Sequence, residues 1–440
     1  MKTKQFLFSC AMGIGLLISQ NTLGTTPNTI TGIVSDPDNV IASPTGLAIT
    51  SDGLTAYVIS YCSSRISIID ISTNTVTGIV SDPGTTLSRP HAIAITPNNA
   101  TAYVVNSGNN TVSILDIATN TITGTVIDGT FCNPIDVAIT PDGTTAYVVN
   151  NTNNSVSKIN VATNLVTQTI TSEHLNLPID VAISPDGTYA YIANNGSSTV
   201  AILDIASDTI TGLISNIYGS EIIKDVIFTH NGAQAYVSIN SINSVYVVLE
   251  NTAVTGMSIT QPIDMTLTPD NSTAYVIQSG NVISVVDATI NAVTGIVADP
   301  LNTLNRPQAL AITPDGSIGY IANECGNTVS IMFIKDPPVT IHPPIAIKGC
   351  KTKNVFLTQT DTINMLTWRA PTQGAAPIVY TIYRNAGLTN FVASVPATGP
   401  LHYADHNRNP AITYSYYLVS VDQHNNVSSP SSVTVTSSCK

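Results

Sequence analysis

At 440 residues the chain is long enough for two or three ordinary domains, or for one large domain and a small one. Only 10% of its residues are charged while 43% are hydrophobic, with abundant Thr, Ser and Asn, which excludes a disordered chain and favours a folded, β-rich one. Acidic residues outnumber basic ones by 27 to 15, a balance that repels nucleic acid and anionic lipid, so neither is expected as a partner.

Residues 1–24, MKTKQFLFSCAMGIGLLISQNTLG, carry Lys2 and Lys4, an apolar run from Phe6 to Ser19 and a polar close, the pattern of a secretory signal peptide. The apolar run ahead of Cys10 is too short for a lipoprotein anchor. Removing the segment takes away two Lys and no acids, leaving 13 basic against 27 acidic residues, a net −14. No second apolar run approaches the ~20 residues of a spanning helix, so no membrane span is expected. The expected product is a secreted or cell-surface monomer, with the periplasm as the alternative location.

Residues 25–335 repeat one phrase. It reads AITPDGTTAYVVNN at 138–151 and returns around Tyr57, Tyr103, Tyr147, Tyr191, Tyr236, Tyr275 and Tyr320, at spacings of 46, 44, 44, 45, 39 and 45 residues. A period near 40–45 with four short β-branched segments is the size of a propeller blade and excludes a helical repeat. Taking 134–170 as the unit, an inner strand over 136–140 runs into Pro141-Asp142-Gly143, whose residues suit the corners of a hairpin turn. Strands follow over 145–150, 155–161 and 165–170. Asp70, Asp116, Asn160, Asp204 and Asp287 stand just before the turn into the fourth strand, where short side chains bond backbone donors.

The ends of the array predict how it closes. The seventh copy ends at NTVSIMFIKDPP without a fourth strand, whereas TITGIV at 29–34 is a fourth strand with no blade of its own. The expected fold is therefore all-β: a seven-bladed β-propeller closed by the N-terminal strand, which leaves no large exposed sheet edge, followed by a small β-sandwich. With TPDG upstream and TxTG downstream, the AYVVN and YIAN phrases resemble the YVTN-type propeller repeats of exported bacterial and archaeal surface proteins. That resemblance implies the fold, and propellers host lactonases, dehydrogenase subunits, adhesive proteins and plain scaffolds.

Residues 336–349, with Pro337-Pro338 and Pro343-Pro344, read as a semi-rigid linker. Over 350–440 the phrases INMLTWRAP, YTIYRN, YAD and TYSYYLVSVDQ resemble a fibronectin type III domain. The resemblance places the single tryptophan, Trp368, in the core of the second strand and implies an adhesion or spacer module. Five cysteines follow the signal segment, and no CxxC occurs. Two pairings are open as disulfides: Cys350 with Cys439, which bracket this module, and Cys62 with Cys325, which occupy equivalent loops of the first and seventh blades.

Ligands of propellers gather at the channel mouth, where the loops ahead of each inner strand meet. The aligned strand starts are Gly46, Ala92, Asp136, Asp180, Asp225, Asp264 and Ala309, so four consecutive blades carry a carboxylate at one height. An oxygen-only arc suits calcium or magnesium, or a cationic ligand; the competing reading is that each Asp accepts backbone N–H groups and clamps its loop to the next blade. Arg89, His91, Glu173, His174, Lys224 and Arg306 join them as candidates on the same face. No catalytic signature such as GxSxG, HExxH, a P-loop or a dinucleotide fingerprint is present, and no resident cofactor is expected. Two functions result: a non-catalytic exported scaffold binding a protein or glycan through this face, or a hydrolase similar to propeller lactonases with a metal on the Asp arc.

Overall fold

The computed structural model describes residues 26–215, 222–248, 250, 252–335, 343–356, 359–371, 377, 379–406, 408–421, 428–436 and 438. It falls into two compact units, one ending at Lys335 and one beginning at Asp336. Among the described residues every regular element is a strand, as the β-branched, Gly- and Asn-punctuated repeat requires.

The larger unit is a seven-bladed propeller. Blade 1 runs Pro44–Ile49, Thr55–Ser60, Arg65–Asp70 and Thr75–Ile79; blade 2 runs Pro90–Ile95, Thr101–Asn106, Thr111–Asp116 and Thr121–Val126. Blade 3 is Pro134–Ile139, Thr145–Asn150, Ser155–Asn160 and Leu165–Thr171, and blade 4 is Pro178–Ile183, Tyr189–Asn194, Thr199–Asp204 and Thr209–Ile214. Blade 5 is Ile223–Phe228, Ala235–Ile239, Ser244–Val247 and Thr252–Ala253; blade 6 is Pro262–Leu267, Thr273–Gln278, Val282–Asp287 and Ala292–Ile296. Blade 7 takes Pro307–Ile312, Ile318–Asn323 and Thr328–Phe333, and Thr29–Ile33 pairs antiparallel with the last of these as its outer strand. The inner strands begin two residues earlier than the sequence suggests, in six blades at a proline, which without an N–H is tolerated at a strand's first position, and in blade 5 at Ile223.

The core lies between blades rather than within them. Seven apolar clusters fill the seven interfaces, each mixing residues of two neighbours, as Tyr147, Val149 and Val156 of blade 3 do with Ala190, Ile192 and Leu203 of blade 4. The blade tyrosines are wholly buried in six blades, and each reaches across with its hydroxyl. Tyr57 donates to Asn120 Oδ1 at 2.5 Å, Tyr103 to Asn164, Tyr147 to Asp208, Tyr236 to Asn291 and Tyr320 to Asn74, in each case on the turn before the next blade's outer strand. Tyr275 finds the same partner in Asn28, so the N-terminal segment supplies the seventh blade's latch along with its strand. Burial pushes these phenols up, Tyr103 to about 12, and keeps them as donors.

A second inter-blade contact lies at the hairpin turns. Pro97, Pro141, Pro185, Pro269 and Pro314 each pack on a glycine of the next blade's turn, with ring atoms 3.3 to 3.6 Å from where a Cβ would stand. Those glycines hold φ near +70°, so both the space and the backbone favour glycine. In blades 1 and 5 the proline is replaced by Ser51 and His230, which own an N–H, and there the following turn carries an asparagine instead. Asn99 accepts the Ser51 N–H at 2.8 Å and Asn271 the His230 N–H at 2.6 Å, both at positive φ.

The smaller unit is a β-sandwich. One sheet orders Ile345–Phe356, Gln359–Arg369 and His402–Asp405; the other orders Phe391–Pro396, Val379–Tyr383, Tyr414–Val421 and Ser431–Val435. Trp368 is buried against Tyr380 edge-on, with Leu366, Tyr416 and Leu418 around them. Its first strand begins at Ile345, five residues before the expected start at 350, because the chain after Pro344 already pairs with Arg369.

The cysteines give a correction. Cys62 and Cys325 are free thiols, and so is Cys132. The loops that carry the first pair do not face each other. Asn327 takes the Ser43 N–H at 2.7 Å and Ser64 takes the Arg89 N–H at 3.1 Å, so each loop clasps the segment leading into the next blade instead of its own counterpart. Cys350 is disulfide-bonded, and the Lys351–Ser438 bridge lays the end of the chain beside it; Cys439 itself lies outside the described residues.

Candidate functional site

In all seven inner strands the pairing skips one residue, the second, so that two residues oppose one on the neighbouring strand. Such a bulge turns both the skipped residue and its successor toward the same opening. The mouth of the channel, a cavity of about 260 Å³, is consequently lined by two rings. The successors are the expected Gly46, Ala92, Asp136, Asp180, Asp225, Asp264 and Ala309; the skipped residues form a ring that the alignment of strand starts had passed over. Over blades 3, 4 and 6 this second ring is Ile135, Ile179 and Ile263, over blade 5 it is Lys224, and over blades 7, 1 and 2 it is Gln308, Thr45 and His91. The mouth therefore has a carboxyl-and-isoleucine arc facing an arc of polar side chains set beside small ones.

Three of the four arc carboxyls are committed to the blade that follows, and Asp225 keeps a buried Oδ2 without a partner. Asp136 accepts the Val181 N–H at 2.9 Å, Asp180 the Val226 N–H at 2.8 Å and Asp264 the Leu310 N–H at 3.2 Å. Neighbouring carboxyls along the arc act on one another electrostatically, Asp180 on Asp136, Asp225 on Asp180 and Asp264 on Asp225. Burial raises all four above the ordinary carboxyl range, and each neighbour's charge adds to the effect. Asp264, pulled back by the Leu310 and Met265 N–H groups, stands at about 7. Asp225 is 7% exposed and the other three keep a little more contact with channel water, but protein surrounds every carboxyl and desolvation is the leading cause in each case. Neighbours that cannot all ionise share protons, so the arc carries well under four charges at neutral pH.

His91 continues the pattern with opposite polarity. Its Nδ1 lies 2.7 Å from the Ile135 carbonyl, which can only accept, so the proton sits on Nδ1 and the imidazole ties blade 2 to blade 3 where no Asp is available. Desolvation draws its pKa below the usual value against the opposing pull of that carbonyl, and so keeps the ring neutral near pH 7. Tyr61 meets its ring edge-on at 6.3 Å.

Of the six loop-face candidates only His91 and Lys224 reach the mouth. Arg306 pairs with Glu324 at 3.2 Å, and Arg89 sits at φ 48° with its backbone held by Ser64. Glu173 and His174 lie in the loop between blades 3 and 4, where the His174 carbonyl accepts from Asn194; Glu173 lines a shallow depression there, apart from the arc. Thr45 and Gln308 were missed. The signal was the residue after each strand-leading proline, which reads as polar only in the three blades that lack an Asp.

The arc does not fit a resident calcium or magnesium ion. Such an ion needs several oxygens converging on one point. Here three of the four carboxyls already hold a neighbouring N–H, and among the described residues no three Asp, Glu, His or Cys side chains form a metal-holding group.

Comparison with known proteins adds two findings. A profile of the family described as "Lactonase, 7-bladed beta-propeller" matches residues 132–222, about a fifth of the chain, which carries Asp136 and Asp180. Among solved structures, the chain titled "Kuenenia stuttgartiensis Hydrazine Synthase" superposes with a TM-score of 0.59 at 20% identity, covering 72% of this chain and 99% of that one. That likeness is one of fold. No curated protein matches.

Proposed function

We propose that the protein is an exported, non-catalytic binding scaffold of the cell surface or periplasm, whose channel mouth takes up a polypeptide or glycan segment. In this reading the propeller repeat is YVTN-type, and the sandwich is a fibronectin type III-like adhesion or spacer module. One observation carries it: the polar groups of the two arcs are unequally spent. Asp136, Asp180 and Asp264 hold the next blade, whereas Thr45 Oγ1 and Asp225 Oδ2 are buried without a partner, and Gln308 and Lys224 make no side-chain hydrogen bond among the described residues. Unspent donors and acceptors beside small residues and isoleucines suit a ligand with hydroxyl or amide groups on an apolar frame. Arrays of glycans and peptides test it. The paired changes Gln308→Ala and Lys224→Ala should weaken retention about tenfold, the scale of two lost hydrogen bonds, while Asp264→Asn should leave it unchanged. Retention that ignores the first pair and follows Asp264 would sink the proposal.

A second reading, hydrolysis of a lactone, is favoured by the partial family match and by the Asp264 carboxyl at about 7, within the range of a general acid or base at neutral pH. Turnover of a lactone panel, with and without chelator, separates the two. Activity that Asp180→Asn or Asp264→Asn abolishes would replace the scaffold reading.

A further inference from the structure

At one interface the described residues show no tyrosine latch; Asn251, which stands where the latch partner stands in the other blades, lies outside the described residues. Tyr191 of blade 4 makes no hydroxyl hydrogen bond among the described residues and is half-buried, where its six counterparts are fully buried. Blade 5 also differs there in its third strand, Ser244–Val247, which runs four residues where the other blades run six.

The gap is a cavity of about 300 Å³ opening beside the turns, away from the channel mouth. Tyr191 and Phe228 form its wall, their rings tilted at 46° with centroids 4.5 Å apart, and Tyr189, 44% exposed, stands at its rim. Asp186 adds a carboxylate. Its Oδ1 accepts from Ser184 and from the Thr188 N–H and hydroxyl, while Oδ2 has no partner among the described residues. Those bonds hold the Asp186 pKa below the ordinary value, so the group is charged at neutral pH. Gln234 lines the cavity too, with its amide donating to Glu250 at 3.0 Å, and no Lys or Arg is among the lining residues.

We propose that this cavity is a binding site for a small organic cation, an ammonium head carried on an apolar body. Three aromatic rings line the cavity and can attract a cation, the Asp186 oxygen without a partner among the described residues supplies the counter-charge, and no Lys or Arg lines it to compete. The remaining acids at the turns and the net charge of −12 disfavour an anion in the same place. The site is independent of the channel mouth and stands or falls without it.

Choline and its neutral carbon isostere 3,3-dimethylbutan-1-ol are the probes, titrated into the full chain while the aromatic side-chain resonances are followed. Choline should bind at least about tenfold more tightly than the isostere, the scale of a desolvated cation–π contact. Tyr189→Ala, at an exposed rim position, and Asp186→Asn should each reduce choline affinity about fivefold or more. Asp142→Asn removes the equivalent turn carboxylate at the latched interface between blades 3 and 4, and should leave affinity unchanged. Equal binding of choline and the isostere, preference for an anion or a neutral sugar, or a loss in Asp142→Asn as large as in Asp186→Asn would overturn the proposal.

Discussion

The interface between blades 3 and 4 and the one between blades 4 and 5 are built from the same parts, except for one. Both have the aspartate clamp, Asp136 to Val181 and Asp180 to Val226, and both have the proline-on-glycine contact, Pro141 on Gly187 and Pro185 on Gly232. The first also has Tyr147 bonded to Asp208, which Lys158 joins at 2.7 Å; the second has Tyr191 beside an open cavity. The difference teaches that repeated contacts in this molecule are architecture, and that sites belong where a repeated contact fails. The channel mouth obeys the same rule, since its unspent groups lie on blades without an Asp or, on blade 5, beside Asp225, whose Oδ2 is left without a partner.

The largest effect should come from breaking the latch where it exists. Tyr147→Ala is expected to cost about 3–5 kcal/mol in chemical denaturation, as for other large buried aromatics, and Tyr191→Ala noticeably less because its site is already partly hydrated. The milder pair sharpens the contrast: Tyr147→Phe should cost about 1 kcal/mol for the lost hydroxyl bond, and Tyr191→Phe almost nothing. Equal losses at the two positions would mean the missing latch has no energetic content.

The turn contacts offer a smaller and more specific test. Pro97→Ser restores an N–H that faces Gly143, which has no side chain to receive it, whereas Pro97→Ser with Gly143→Asn reproduces the Ser51–Asn99 pair. A double-mutant cycle should return a favourable coupling of about 1 kcal/mol; additivity would show the pairing to be incidental. Smallest of all, Gln308→Ala should shift stability by less than about 0.5 kcal/mol while weakening ligand retention, since the side chain supports nothing in the fold.

Much of this was legible in the chain. The tyrosine period gave seven blades, and the orphan TITGIV at one end matched a blade lacking its outer strand at the other. Turn aspartates such as Asp70 and Asp116 do accept the backbone N–H groups of Thr73 and Thr119. What escaped was whatever depends on how one blade meets the next. The Tyr–Asn latch joins residues some 60 positions apart, and the rule linking proline to glycine, or Ser and His to Asn, appears only when each turn is read against its successor. The bulge that turns Thr45 and Gln308 to the mouth depends on a pairing register that no alternation of apolar and polar residues specifies. Cys62 and Cys325 looked like neighbours because equivalent positions were aligned, but their loops reach sideways.

The proposal most open to direct test is that the aspartate arc clamps blades rather than holding an ion or a reacting group. An unfolded Asp loses its proton near 3.8, whereas folded Asp264 keeps it to about 7. The folded state thus binds more protons between those values, and stability must fall as pH rises through that window. With channel water reaching the carboxyl, the loss from Asp264 is on the order of 2 kcal/mol. The decisive measurement is thermal unfolding of the wild type and Asp264→Asn at pH 5 and pH 8, with and without calcium or magnesium. The expected result is similar melting at pH 5, a higher melting temperature for the variant at pH 8, and no response to either cation. A cation that raises the wild-type melting temperature at pH 8, and fails to do so in Asp264→Asn, would contradict it.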